Sequence, residues 1–338
     1  MAGITALRKM QLGWEATAGT AVAATTIWRG PVNGIEALDS IVPVEEHLAR
    51  MGGANRTVQL NQLAQVTIPD TVFTFEQFPW FCQMGIEAQA AGVADSGEGS
   101  PSGKIYTFDF GLTAGNAPHT ATIEAGNNQK VYEMEYAHCT EFTVRGAPNE
   151  AVMVAATLQG RKRTASSFTA DLTVPTVHEA VFNKATLYLD TVGTGTIGGT
   201  AIESTLLGFA IRVNTGQHAK FTGDGQLYFN TVDQREWEME AEVTFRHIAA
   251  ADTEDANWLA QTARLMEIKL TGAALATAGA YSAYTAKFQL PGKWTKFSTL
   301  EDREGNDIIR GTFRAAYDPT EAIGPVIIVV NETASYWT

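Results

Sequence analysis

Cysteine is nearly absent from this chain: Cys82 and Cys139 are its only two in 338 residues. Neither stands in a C-x-x-C spacing or near a histidine in sequence, so a disulfide-rich secreted scaffold is not expected. Basic charge is also scarce, with 24 Lys and Arg against 37 Asp and Glu and a net charge of −13. Affinity for phosphate comes mainly from clustered cations and the counterions they displace, so the balance argues against a nucleic-acid-binding groove and points to repulsion. Long apolar runs are missing too. The longest near the end, Val326-Ile-Ile-Val-Val330, is far short of a bilayer span. Residues Met1 to Met10 hold no continuous apolar stretch of the kind a secretory signal needs. No membrane partner is expected, and the chain is expected to stay soluble in the cytoplasm until it joins something larger.

The signatures of catalysis are equally thin. His47, His119, His178, His218 and His247 are scattered without the spacing of a zinc site. His138 and Cys139 are neighbours on an expected strand, so they point to opposite faces and cannot work as base and nucleophile. Gly193-Thr-Gly-Thr-Ile-Gly198 satisfies G-x-G-x-x-G, but strand chemistry rather than a helix follows it, so it reads as a hairpin loop. Ser96 and Ser102 lie in a Gly-rich loop without a nucleophile elbow. Glu301, Asp302, Glu304 and Asp307 would be the better place to look for a cation, although a solvated hairpin tip is the stronger reading. Arg161-Lys-Arg163 reads as a solubilising strand end. The chain is expected to be no enzyme and to carry no cofactor or metal.

What the chain does have is strand pattern. Gly, Thr and Ala are abundant, which suits many short strands joined by turns. The clearest is Arg235-Glu-Trp-Glu-Met-Glu-Ala-Glu-Val-Thr-Phe245, where Glu236, Glu238, Glu240 and Glu242 alternate with Trp237, Met239, Ala241, Val243 and Phe245. Period-two alternation places the carboxylates in one row and the apolar residues behind them. Acids about 7 Å apart repel by about 0.6 kcal/mol per pair in water and by more in a low dielectric. The row must therefore face solvent or a water-filled cavity, and it is expected to serve a use rather than the fold. Four equivalent acids make a surface property, not the acid and base of a glycosidase.

The expected organisation is mainly β (α+β), with an arm at 1–30 and two tandem β modules at 31–170 and 171–338, each with a short helix. The stretch Arg161 to Thr176, without clear periodicity, marks the boundary. In the first module a long strand over Val58 to Ile68 precedes a helix near Phe75 to Gly85, with Pro79 in its first turn. In the second, the acidic strand precedes a helix over Asp252 to Arg264, with Asp252 as cap and Trp258, Leu259, Thr262 and Leu265 on one face. The order Gly34-Ile-Glu-Ala-Leu, Glu46 to Gly53, long strand, helix matches Gly208-Phe-Ala-Ile-Arg, Gln217 to Gly225, long strand, helix. This predicts an internal duplication.

The opening Gly13-Trp-Glu-Ala-Thr-Ala-Gly-Thr-Ala-Val22, the segment Ala185-Thr-Leu-Tyr-Leu-Asp190 and the hairpin-helix-hairpin order of both halves resemble the major tail tube proteins of long-tailed, siphovirus-type bacteriophages, as a duplicated-module member. The resemblance implies two tandem modules, each a β-sandwich or rolled sheet flanked by a short helix, and a structural virion protein that self-assembles into stacked rings, an acidic-lined conduit through which DNA passes during ejection without specific binding. A duplicated chain would form trimeric rings of six modules, with the hexamer left open by the family's single-module members. The implied partners are further copies of itself and the tape-measure, tail terminator and baseplate proteins, with assembly in the host cytoplasm. Glu236, Glu238, Glu240 and Glu242, with Gln59, Asn61, Gln65 and Thr67, would line the lumen. Trp237, Met239, Val243, Phe245 and Trp258 would form the core behind them. Trp14, Glu15, Thr20 and Val22 of the arm, and Ser96 and Gly97 of the loop, would order on stacking. The alternative is a β-rich binding or adhesin-like module that builds no tube.

Overall fold

A computed structural model describes residues 2–52 and 55–337. Strands take 47% of the residues and helices 7%, so the expected mainly-β class holds. The first half runs β1 (Lys9–Trp14), β2 (Thr26–Ile27), β3 (Ile35–Ala37), β4 (Ser40–Pro43), β5 (Thr57–Asn61), β6 (Ala64–Val72), α1 (Pro79–Gly85), β7 (Val93–Ala94), β8 (Lys104–Asp109), β9 (Ala121–Gly126), β10 (Val131–Gly146), β11 (Met153–Gly160) and β12 (Thr164–Ser166). The second runs β13 (Ala185–Thr191), β14 (Leu206–Asn214), β15 (Gln217–Lys220), β16 (Thr231–Gln234), β17 (Glu238–Arg246), α2 (Ala249–Leu259), β18 (Arg264–Ala274), β19 (Ala283–Phe297), β20 (Glu301–Arg303), β21 (Asn306–Ala315) and β22 (Val326–Asn331).

The two halves repeat one pairing scheme. In the first, β3 pairs with β6, β6 with β11, β11 with β10, β10 with β9 and β9 with β1. In the second, β14 pairs with β17, β17 with β21, β21 with β19, β19 with β18 and β18 with β13. A separate hairpin precedes the long strand each time, β4–β5 and then β15–β16. Even the bulge recurs. Thr140 is the extra residue between Cys139 and Glu141 of β10, and Thr295 is the extra residue between Trp294 and Lys296 of β19. A bulge bends its strand, and β10 and β19 each change partners near it, β10 from β9 to β11 and β14 and β19 from β18 and β22 to β21. The halves are joined rather than merely adjacent, because β14 pairs with β10 and β22 with β8.

All the strands except the two hairpins belong to one connected network of barrel-like connectivity. Within it one antiparallel sheet runs β3-β6-β11-β10-β14-β17-β21-β19 across both halves. Its inner residues, such as Val66, Leu158, Val144, Ile211, Ala241 and Phe313, are fully buried. Helix α1 is wholly buried beneath it, with Pro79 at its start, where a missing N–H costs nothing. The ring of Phe78 packs on Phe73 and Phe142 of its own half and on Phe288 of the other, so the aromatic core is shared. Each such buried ring contributes about 1.5–3 kcal/mol relative to exposure.

Three expectations need correction. The expected arm is, over residues 2–30, tied into the fold. Strand β1 pairs along its whole length with β9 and also with β2, and its inner residues are buried on both faces. The stretch from Val58 to Ile68 is not one strand. It breaks at Gln62 and Leu63, where Asp39 accepts the Leu63 N–H at 3.3 Å and β5 leaves to pair with β4. The second helix begins at Ala249, behind an N-cap Ile248 that makes no side-chain cap, and ends at Leu259. Asp252 therefore sits inside its first turn, where it takes a 2.8 Å contact from His247. Its buried face holds Ala251 and Glu254, whereas Leu259 is exposed and Leu265 belongs to β18.

Candidate assembly surface

The acidic strand forms as the alternation requires. Met239, Ala241, Val243 and Phe245 are completely buried, while Glu238, Glu240 and Glu242 are exposed. Glu236 is exposed too, but it and Trp237 precede the strand. Trp237 is partly buried and packs against the edge of the core. It packs on Phe110 at 5.2 Å, and its indole N–H donates to the Gly111 carbonyl at 3.0 Å. Trp258 is reached by relay: Phe245 stacks on Phe297, and Phe297 meets Trp258 at 5.9 Å.

Directly opposed residues of antiparallel strands put their side chains on one face, so the register defines the exposed surface row by row. One row runs Thr67, Thr157, Glu141, Asn214, Glu238. The next runs Ala155, Thr143, Arg212, Glu240, Arg314, Lys293, and a third Met153, Arg145, Ala210, Glu242, Thr312, Lys296. Two of the neutral residues expected beside the acids are thus on their face: Thr67 in the first row, and Gln65, which accepts a hydrogen bond from its opposite number Gln159 at 3.3 Å. Gln59 and Asn61 are not. They lie on the separate β4–β5 hairpin, where Gln59 donates to Asp39 and Asn61 accepts from the Ser40 N–H.

The expectation of a uniform acidic row also needs correction. Glu240 stands between Arg212 and Arg314, one on each neighbouring strand. Arg314 reaches Glu238 at 3.3 Å, Arg145 pairs with Asp70 at 2.8 Å and Arg310 with Glu301 at 3.0 Å. Opposed unlike charges contribute roughly 0.2–1 kcal/mol per cross-strand pair, so the fold offsets the repulsion by interleaving arginines. The surface is polar and carries both signs: Arg145 and Arg314 are paired with carboxylates, while Lys293, opposite Arg314, and Lys296 lie exposed at its β19 edge. Only register brings these groups together, and register cannot be read from one strand's sequence.

Glu15 has a definite role within the first half. Its buried carboxylate accepts from Gly19 N (2.7 Å), Thr120 Oγ1 (2.7 Å), Thr122 Oγ1 (2.9 Å) and Tyr136 N (2.8 Å). Tyr136 has φ of 58°, a left-handed conformation rare for a bulky residue, and the Glu15 bond helps to hold it there. Trp14 packs beside His119 and Trp337, which stack on each other at 4.0 Å, Val22 N donates to Thr122 Oγ1 at 3.1 Å, and Thr20 is exposed. The loop with Ser96 and Gly97 is also tied within the chain. Ser96 O accepts from Ala280 N at 2.7 Å and Asp95 accepts from Tyr281 N at 2.9 Å.

Asp190 accepts three N–H groups, from Gly198, Gly199 and Thr200, and so shapes the glycine-rich loop into a closed turn. Both cysteines are free and buried, and burial raises their thiols. Burial lowers His138 to about 4, only partly opposed by a contact with the Tyr136 carbonyl. Among the described residues, no group of three or more His, Cys, Asp or Glu is placed to hold a metal ion, and no helix is long and apolar enough to cross a membrane. No protein-family model matches the chain, and no curated protein matches it.

Proposed function

We propose that this chain is the subunit of a bacteriophage tail tube: copies pair edge to edge into trimeric rings of six β units, and the rings stack into a conduit for DNA. The observation that carries the reading is the eight-stranded sheet shared by both halves, dry on one face and hydrated on the other, built from a repeated unit and ending in strand segments that are paired on one side only. A sheet edge that keeps its N–H and C=O groups free is an aggregation hazard in a monomer. In a ring it is the joint. The hydrated face then becomes the bore.

Along the central strands such a bore offers phosphate no free cation cluster, so DNA can slide. There Arg145 and Arg314 hold carboxylate partners, Arg212 stands opposite Glu240, and the chain as a whole is anionic. A phosphate would have to displace an existing partner for a gain of the order of 1 kcal/mol or less, so no position on those strands holds it. Tape-measure, terminator and baseplate proteins are the partners expected inside the tube and at its ends, and the virion is the place of function. Negative-stain microscopy of purified protein tests the reading. Rings or tubes with an open bore are expected; compact monomers at every concentration would favour a β-rich binding module instead.

A further inference from the structure

The two free edges of the shared sheet lie on opposite halves. Strand β3 pairs with β6 alone, and the Lys293–Phe297 part of β19 pairs with β21 alone; no pairing joins β3 to β19. The repeat supplies a template for what meets there. In the pairing scheme β3 occupies the place of β14, and β19 that of β10, and inside the chain β10 and β14 are bonded to each other. The recurring bulge fixes the correspondence: Thr295 stands for Thr140, Lys296 for Glu141 and Phe297 for Phe142. On the other strand, Glu36 faces Gln65 as Arg212 faces Glu240, so Ala37 stands for Val213 and Leu38 for Asn214.

We propose that the Lys293–Phe297 edge of β19 receives β3 of a second copy, with Phe297 opposite Ala37 and Lys296 opposite Leu38 of the neighbour. The internal junction gives this register directly, through Phe142 opposite Val213 and Glu141 opposite Asn214. Thr215 N donates to Thr140 O at 3.0 Å just beyond that last pair. Glu141–Asn214 is therefore one of the close pairs without a mutual hydrogen bond, and Lys296–Leu38 inherits that geometry. The faces agree as well. Lys296 and Glu36 both lie on the hydrated side, while Phe297 and the partner of Ala37, Ala64, are buried.

Two features independent of the register fit the same occupant. The β19 edge is basic, with Lys293 and Lys296 exposed, and the β3 edge is acidic, with Glu36 exposed and Asp39 beside it. The second feature is a groove. Inside the chain, the β15–β16 hairpin region crosses onto the first half, where Phe229 is fully buried against Tyr136 and Arg161 donates to its carbonyl at 2.9 Å. At the corresponding place beside the second half lies an open groove of about 1230 Å³, lined by Gly292, Lys293, Trp294 and Arg314 and, from the first half, by residues 111–115. The corresponding hairpin, β4–β5, leaves Ile41, Val42, Val58 and Leu60 between 44% and 59% exposed. The neighbour's hairpin fills the groove and covers those side chains.

This inference rests on the ring-forming reading, and one experiment separates the two. Leu38→Cys and Lys296→Cys are made singly, both at exposed positions, with the native cysteines buried. The variants are mixed, oxidised mildly and run on a non-reducing gel, alongside a Leu38→Cys and Lys293→Cys mixture displaced along the edge. Close antiparallel pairs hold their Cα atoms about 4.5 Å apart, within disulfide reach. The expected result is a reducible dimer for the Leu38 and Lys296 mixture, at least ten-fold stronger than for the displaced mixture or either variant alone. Rings by microscopy without that dimer would overturn the register and leave the ring standing. Absence of any assembly would overturn both.

Discussion

Glu254 is a carboxylate in an unlikely place for a helix face, and removing it gives a sharp test of how α2 is held on the sheet. Its side chain is 3% exposed and that of Arg264 is 10% exposed. The two form a fork, Arg264 Nη2 to Glu254 Oε1 at 2.8 Å and Nε to Oε2 at 3.1 Å. Trp294 donates its indole N–H to the same carboxylate at 2.8 Å. Arg264 also reaches Thr191 Oγ1 and the Leu189 carbonyl. Glu254→Ala therefore leaves a buried cation and a buried indole N–H without their acceptor. Breaking one side of such a pair costs about 3–5 kcal/mol, most of it the penalty of the charge left behind. Urea denaturation followed by tryptophan fluorescence measures it. With a slope of about 2 kcal/mol per molar urea, the midpoint should fall by about 2 M. Replacing both partners, Glu254→Met with Arg264→Met, removes the stranded charge and should cost less than Glu254→Ala alone. A loss below about 1 kcal/mol for Glu254→Ala, or a double variant worse than the single, would refute the argument.

Three further outcomes are expected. Glu15→Gln exchanges four charge-assisted bonds for an amide that faces the same donors; it should cost about 2–4 kcal/mol by thermal unfolding and open residues 15–25 to limited proteolysis, whereas a dispensable arm would show neither. His138 is held neutral by burial, with its folded value near 4 below the ordinary 6.5. The unfolded chain therefore binds the extra proton first: this contribution is present above about pH 6.5 and is lost as pH falls to about 4, amounting to about 3 kcal/mol. A His138→Phe variant that kept the full acid slope across that window would contradict the assignment. Lys293→Glu with Lys296→Glu should raise the concentration needed for assembly by about ten-fold through like-charge contact with Glu36, and Glu36→Lys should restore it; unchanged assembly in the double-reversed edge would remove the charge argument.

How much could be read from the sequence depended on whether a segment's environment leaves a period in it. Strand β17 was legible because one face is dry and the other wet, which writes alternation into Glu238 to Phe245. Helix α1 was legible because Pro79 marks its first turn and Gly85 its end. Strand β1 was not, because Met10, Gln11, Leu12 and Gly13 are all buried. With both faces covered there is no alternation, and the segment passes for an arm. The break at Gln62 and Leu63 was hidden because Leu60, Ala64 and Val66 continue the apolar period straight through it. Only Asp39, distant in sequence, marks the spot. The arginines beside the acidic row were invisible for a related reason: Arg212 and Arg314 lie far along the chain, and pairing alone brings them to Glu240. The repeat was readable as an order of elements, but its shared pairing scheme and its matching bulges required the strands to be seen together.

The most direct measurement of the central claim is a reconstruction of the assembled particle by electron cryomicroscopy at a resolution that traces side chains. The account predicts a hollow ring in which Glu238, Glu240 and Glu242, interleaved with Arg212 and Arg314, face the bore, and in which each β19 continues into the β3 of the next copy. A particle with that face turned outward, or with no open bore, would contradict it.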